Sequence, residues 1–121
     1  MDEVARMELS LFTPAAGIVP AGLMQQHNAI LQVNPQGPGF IRLSSRIDAE
    51  ITASGIQQGL CVAMALHTSC SLTINENADP RVLADLEAYL RDLVPRDRHY
   101  RHDDEGADDM PAHIRTALTC T

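Results

Sequence analysis

Two short stretches carry the side chains most able to do chemistry in this chain: residues 67–80 (HTSCSLTINENADP) and residues 102–113 (HDDEGADDMPAH). They mix imidazoles with hydroxyls, amides and carboxylates, the groups from which metal centres, acid–base pairs and phosphate contacts are built. Three neutral imidazoles, here His67, His102 and His113, match a ligand set that holds Zn²⁺ with one position open for water. No HExxH-type spacing links them, so the fold must bring together residues up to 46 positions apart. For His67 by itself there is a second reading, a histidine at the edge of the core satisfied by a backbone carbonyl.

The other polar positions divide by the work already available to them. Asp79 precedes Pro80 and reads first as a helix N-cap, whereas Glu76 and Asn75 have no equally good structural task. A carboxylate in such a loop can orient a metal-bound imidazole or move a proton. Asp108 or Asp109 caps the last helix and leaves the other free for chemistry. Thr68, Ser69 and Asn75, together with the amides of the helix that starts at Asp79, are the phosphate contacts on offer. Asp103, Asp104 and Glu105 form a run of the kind usually hydrated at a surface, and His27 reads as a solvated residue near the N-terminal segment. There is no Walker-type glycine loop and no GxSxG elbow.

The elements that must position these groups follow from periodicity and turn chemistry. Residues 1–23 read as an N-terminal extension or arm, with Met7, Leu9 and Leu11 alternating only briefly before a Pro-, Ala- and Gly-rich stretch. Residues 29–33 and 40–43, joined by NPQGPG, suggest a loose hairpin. Ser45 and Asp48 resemble a capping box for a helix that Gly55 would end. Residues 60–66 are continuously apolar and fit a central buried strand, and residues 71–74 alternate as a second strand or a bent continuation. Val82, Leu86, Tyr89, Leu90 and Leu93 form one apolar stripe at helical spacing, stopped by Pro95. Arg81 and Glu87 stand four residues before Asp85 and Arg91, as exposed ion pairs on that helix. A polar loop over 96–107 then leads into a final helix through His113 and Leu118.

Bulk composition bounds the rest. A chain of 121 residues fits one domain, residues 24–121, with an aliphatic core, because it has two Tyr, two Phe and no Trp. A net charge of −7 argues against non-specific nucleic-acid binding. It leaves room for a local arginine site that takes a small phosphorylated molecule. Cys61, Cys70 and Cys120 are odd in number and lack CxxC spacing, so a reducing, cytoplasmic setting is expected. No stretch is apolar enough for a membrane span.

The strings GLCVAMALHTSCSLTINENADP (residues 59–80) and YRHDDEGADDMPAHI (residues 100–114), with the helix between them, resemble the YjbQ family, often labelled secondary thiamine-phosphate synthase. The resemblance spans residues 24–121. It implies a small α+β domain with two antiparallel sheets and flanking helices, assembled as a homotrimer. It also implies a divalent metal, zinc, beside histidines and acidic residues. Carried over position by position, the matching residues are His67, Thr68, Ser69, Asn75, Glu76 and Asp79, then His102, Glu105, Gly106, Asp108, Asp109 and His113. The implied activity joins a pyrimidine diphosphate to a thiazole phosphate and releases pyrophosphate. The family pattern continues with further strands, a Gly-Thr-Trp-Gln-like motif and a Glu-x-Arg-like ending, so those C-terminal strands are expected to be absent here.

The combined expectation is a metal-dependent enzyme acting on a small phosphorylated substrate. His67, His102 and His113 are assigned as ligands, Thr68, Ser69 and Asn75 as binding residues, and Glu76, Asp79 and Asp109 as catalytic groups. A non-catalytic metal- or ligand-binding trimer and a metal-dependent hydrolase are the alternatives.

Overall fold

The computed structural model describes residues 5–13, 24–76 and 78–119. Its elements are β1 (Ala5–Phe12), β2 (Gln26–Val33), α1 (Ser44–Ser54), β3 (Leu60–Ala65), α2 (Pro80–Leu93) and α3 (Asp109–Thr119). This is an α+β arrangement with one antiparallel sheet, ordered β2-β1-β3, among the described residues. The chain divides into two compact units. One holds the three strands and α1, and the other holds α2, α3 and the loops that flank them.

In the sheet unit, β1 is the organising strand. Met7, Leu9 and Leu11 point to one face and are 2%, 0% and 4% exposed, and Leu31 and Ile56 are also buried in this unit. The short alternation expected to belong to an arm is therefore the middle of the sheet. Period-2 apolar spacing over three positions suffices once both neighbours pair with it. The other residues of the expected extension, 1–4 and 14–23, lie outside the described residues.

Two further expectations change for the same reason. Residues 60–66 were expected to be a central buried strand, but β3 lies at the sheet edge and is exposed along most of its length. Leu60, Val62 and Met64 stand across from Phe12, Ser10 and Glu8, on the face opposite the buried leucines of β1. The expected hairpin does not form either: β2 pairs with β1, and residues 41–43 lead into α1 without pairing. The strand expected over residues 71–74 is irregular.

α1 ends where the glycine signal placed its end, with Gly55 at φ +69° and its N–H on the Thr52 carbonyl. Its start lacks the capping box; Leu43 occupies the N-cap position without a side-chain bond. Side chains fasten the helix to β2. His27 Nε2 lies 3.2 Å from Glu50 Oε2, and Arg46 donates to the Gln32 carbonyl at 2.7 Å. His27, expected in solvent, is thus half-buried against a carboxylate.

In the other unit, α2 begins as its sequence dictates. Asp79 accepts from the Arg81 N–H as N-cap, and Pro80 follows at the first helical position. The Arg91–Glu87 pair forms at 2.8 Å, but Arg81 pairs with Asp79 rather than with Asp85. No α2 side chain is fully buried, and Tyr89 and Leu93 on its apolar stripe are exposed. Among the described residues, the buried side chains of this unit are Val94 and Pro111. Arg115 donates to the Val94 carbonyl at 2.9 Å and ties α3 to the end of α2.

Candidate functional site

The chemistry of the second unit gathers at the first turn of α3. Asp109 and His113 are four residues apart on that helix, so their side chains lie one above the other on the same face. His102 comes from the preceding loop. That loop is held by a bond from Tyr100 Oη to the Pro95 carbonyl at 2.8 Å and by Gly106 at φ +109°. His102 Nε2 and His113 Nε2 approach Asp109 Oδ2 to 3.0 and 3.2 Å, with the two rings tilted at 49° and centred 5.9 Å apart. One ligand atom from each of the three residues lies within 4.8 Å of the others.

The directions of these groups matter more than their separation. Asp109 Oδ2 is buried, yet neither imidazole is oriented to give it a hydrogen bond, despite distances of 3.0 and 3.2 Å. A buried carboxylate oxygen without a donor carries a desolvation penalty that something must offset. The proton on His113 is fixed by its other nitrogen. Nδ1–H donates to the Thr68 carbonyl at 3.1 Å, which leaves Nε2 as the unprotonated nitrogen, 3.2 Å from the carboxylate oxygen. A carboxylate oxygen and an unprotonated imidazole nitrogen held this close, with no hydrogen bond between them, are the arrangement a cation completes. The donor set of two imidazoles and one carboxylate suits zinc and related divalent ions.

The structure brings His102 and His113 together and places Asp109 with them; His67 is not a member of this group. His67 Nδ1 accepts from the Ser69 N–H at 3.0 Å, with Ser69 Oγ also 2.9 Å away. That bond leaves the ring proton on Nε2, the opposite of the His113 arrangement. Sequence reasoning gave Asp109 a catalytic role and overlooked it as a ligand. The signal was available in its i,i+4 spacing to His113.

The remaining candidates are largely occupied nearby. The Thr68 carbonyl holds His113, Ser69 holds His67, and Asn75 Oδ1 accepts from the Glu76 N–H at 2.7 Å. Glu76 is exposed. Glu105, expected to be hydrated surface, places Oε2 3.7 Å from His102 Nε2. Asp108 forms an ion pair with Arg96, Oδ1 to Nε 2.8 Å.

Asp79 is gripped by Arg81 through both carboxylate oxygens at 2.7–3.0 Å. The Arg81 side chain, then its backbone N–H, holds the Asp79 carboxyl below the ordinary carboxylate value. A carboxylate so held is a poor proton acceptor, which leaves Asp79 a structural role. The lowered value also sets a direction for stability. Ionised Asp79 stabilises the folded chain above the ordinary carboxylate pKa of about 3.9, and that contribution is lost as pH falls through the folded value. Asp79→Asn should therefore melt below the parent at neutral pH, with the gap closing as acidification carries the pH below the ordinary carboxylate value and through the lowered folded one. A gap that widened in acid would contradict this assignment.

The family model described as UPF0047 protein YjbQ-like matches residues 29–121. A UPF0047 protein from Synechocystis sp. is 50% identical over 105 residues, covering 86% of this chain and 71% of that protein. The UPF0047 protein YjbQ of Salmonella typhimurium is 51% identical over 94 residues, 77% of this chain and 67% of its own length. A UPF0047 protein from Methanocaldococcus jannaschii is 33% identical over 79 residues, 65% of this chain and 55% of that protein. No solved structure matches the chain.

Proposed function

Because the chain belongs to the YjbQ-like UPF0047 family, we propose that it is a divalent-metal-dependent enzyme acting on a small phosphorylated substrate. The observation that carries this reading is the convergence of His102, Asp109 and His113 around a buried carboxylate oxygen that no donor satisfies. Those three residues would hold the metal. Bound there, a zinc-type ion would supply Lewis acidity and offset the charge that develops on a departing phosphate or pyrophosphate.

The chain's own groups have definable parts. Thr68 fixes the His113 tautomer through its carbonyl and so keeps the Nε2 lone pair available. Asp109 brings negative charge to the centre and lies between the two imidazoles. Glu105, exposed and close to His102, is placed to take or give a proton at the mouth of the site. Glu76 retains its place as a second acid–base candidate, on an exposed part of the loop before α2.

The specific reaction proposed is joining of a pyrimidine diphosphate to a thiazole phosphate. The chelator-treated protein should show no turnover of that pair, and one equivalent of zinc per chain should restore it. Zinc binding without turnover would leave a metal-binding protein and remove the enzyme. Release of free phosphate or pyrophosphate without coupling would make it a hydrolase. A homotrimer belongs to the same proposal, supported by the exposed apolar row of Leu60, Val62 and Met64 on an edge strand. A monomer by sedimentation would remove that part.

A further inference from the structure

Residues 96–102 (RDRHYRH) hold three of the chain's nine basic residues and two of its five histidines, against a net charge of −7 for the whole. This local reversal of sign borders a cavity of about 310 Å³ in the α2–α3 unit. Arg96, Arg98 and His99 are in its wall, and Met110 and Pro111 supply apolar surface. His102, a member of the metal-type cluster, is also in its wall. A ligand filling the cavity therefore meets the same imidazole that faces Asp109.

The cations of the wall are not equivalent. Arg96 is engaged by Asp108 at 2.8 Å, whereas Arg98 makes no hydrogen bond or ion pair among the described residues. Two carboxylates, Asp97 and Asp103, also line the cavity and formally balance Arg96 and Arg98, so what the wall offers an anion is not net charge but the uncommitted donors of Arg98. The loop is fastened rather than open-ended: Tyr100 bonds the Pro95 carbonyl, and Pro111 at its far side is buried. A volume of this size lies at the small end of ligand sites and suits a compact molecule with one charged and one apolar end. The helix amides named from the sequence are less suited, because Asp79 already accepts from the Arg81 N–H at the start of α2.

We infer that this cavity is the subsite for the phosphate or pyrophosphate of the substrate, with Arg98 as its principal cation and His102 at its border with the metal-type cluster. The inference rests on the reading of that cluster as a metal site acting on phosphorylated molecules. An arginine with uncommitted donors is the side chain that best matches the oxygens of such a group.

Calorimetric titration of the full chain with inorganic pyrophosphate, in chelator-treated and zinc-loaded forms, tests it. The metal-free parent should bind pyrophosphate, and Arg98→Gln should weaken that binding about tenfold, the loss of one charge-assisted contact. Arg101→Gln, which removes the same charge three residues on from Arg98 and outside the cavity lining, should change it less than about twofold. Arg98→Gln should keep the parent's zinc stoichiometry and melting temperature. Equal losses in the two variants, or no pyrophosphate binding by the metal-free parent, would overturn the subsite. A parent that binds pyrophosphate through Arg98 but takes up no zinc would instead overturn the metal reading and leave the anion site standing.

Discussion

Asp109→Asn is expected to cost the protein its divalent metal while leaving its fold in place. The carboxylate lies within 3.0 and 3.2 Å of two imidazole nitrogens, and its Oδ2 is buried without a hydrogen bond. Replacing it with an amide removes the negative charge from a two-histidine centre. Supporting residues one step removed from a metal already change affinity about 10–100-fold when lost. Loss of a direct ligand should therefore exceed about 100-fold. Thermal unfolding provides a second readout. A ligand at 100 times its dissociation constant stabilises the folded state by about 2.7 kcal/mol, so zinc should raise the parent's melting temperature and leave the variant's unmoved. In the metal-free state the variant should be at least as stable as the parent, because it no longer buries an unsatisfied charged oxygen. A variant that kept zinc and its thermal shift would remove Asp109 from the centre. His67→Ala, by the same geometry, should retain zinc, since His67 is not part of the group.

The largest loss of stability is expected at Leu9→Ala. Leu9 is wholly buried at the middle of the central strand, with Ala29 and Ala63 as its cross-strand partners and Met7 and Leu11 beside it on the same face. Its small neighbours cannot fill the space a leucine side chain vacates. Substitutions of this kind cost about 2–5 kcal/mol, a large share of the 5–15 kcal/mol that holds a domain folded. Leu86→Ala, on the apolar stripe of α2, should cost distinctly less, because no residue of that helix is fully buried. Denaturant titration of both variants checks the order. Comparable losses at the two positions would contradict the assignment of the core to β1.

Local signals in the sequence were strongest where one residue type answers one local need. Asp79–Pro80 marked the start of α2, Gly55 the end of α1, and the Glu87–Arg91 spacing an ion pair on one helical face. Each depends on contacts within a few positions, so no knowledge of the fold was required. The same holds for the two polar stretches: His102 and His113 were legible as candidate ligands from residue type and context alone.

Which strand occupies the middle of the sheet was decided by tertiary structure. The run over residues 60–66 is more apolar than β1, yet β3 is the edge and β1 the centre. Burial there depends on having a paired neighbour on each side, a property of topology that composition does not carry. The ligand set divides in the same way. Sequence supplied three imidazoles by type, but which nitrogen carries a proton is set by each ring's partner, a neighbour for His67 and a distant carbonyl for His113. The Thr68 carbonyl orients His113 from 45 positions away, while Ser69 engages His67. The sequence by itself determined which side chains were available for chemistry, where α2 begins and where α1 ends, because those are local properties. Only the folded chain decided that Asp109 stands with His102 and His113, because a shared centre is built from distances and directions between residues that are not neighbours in sequence.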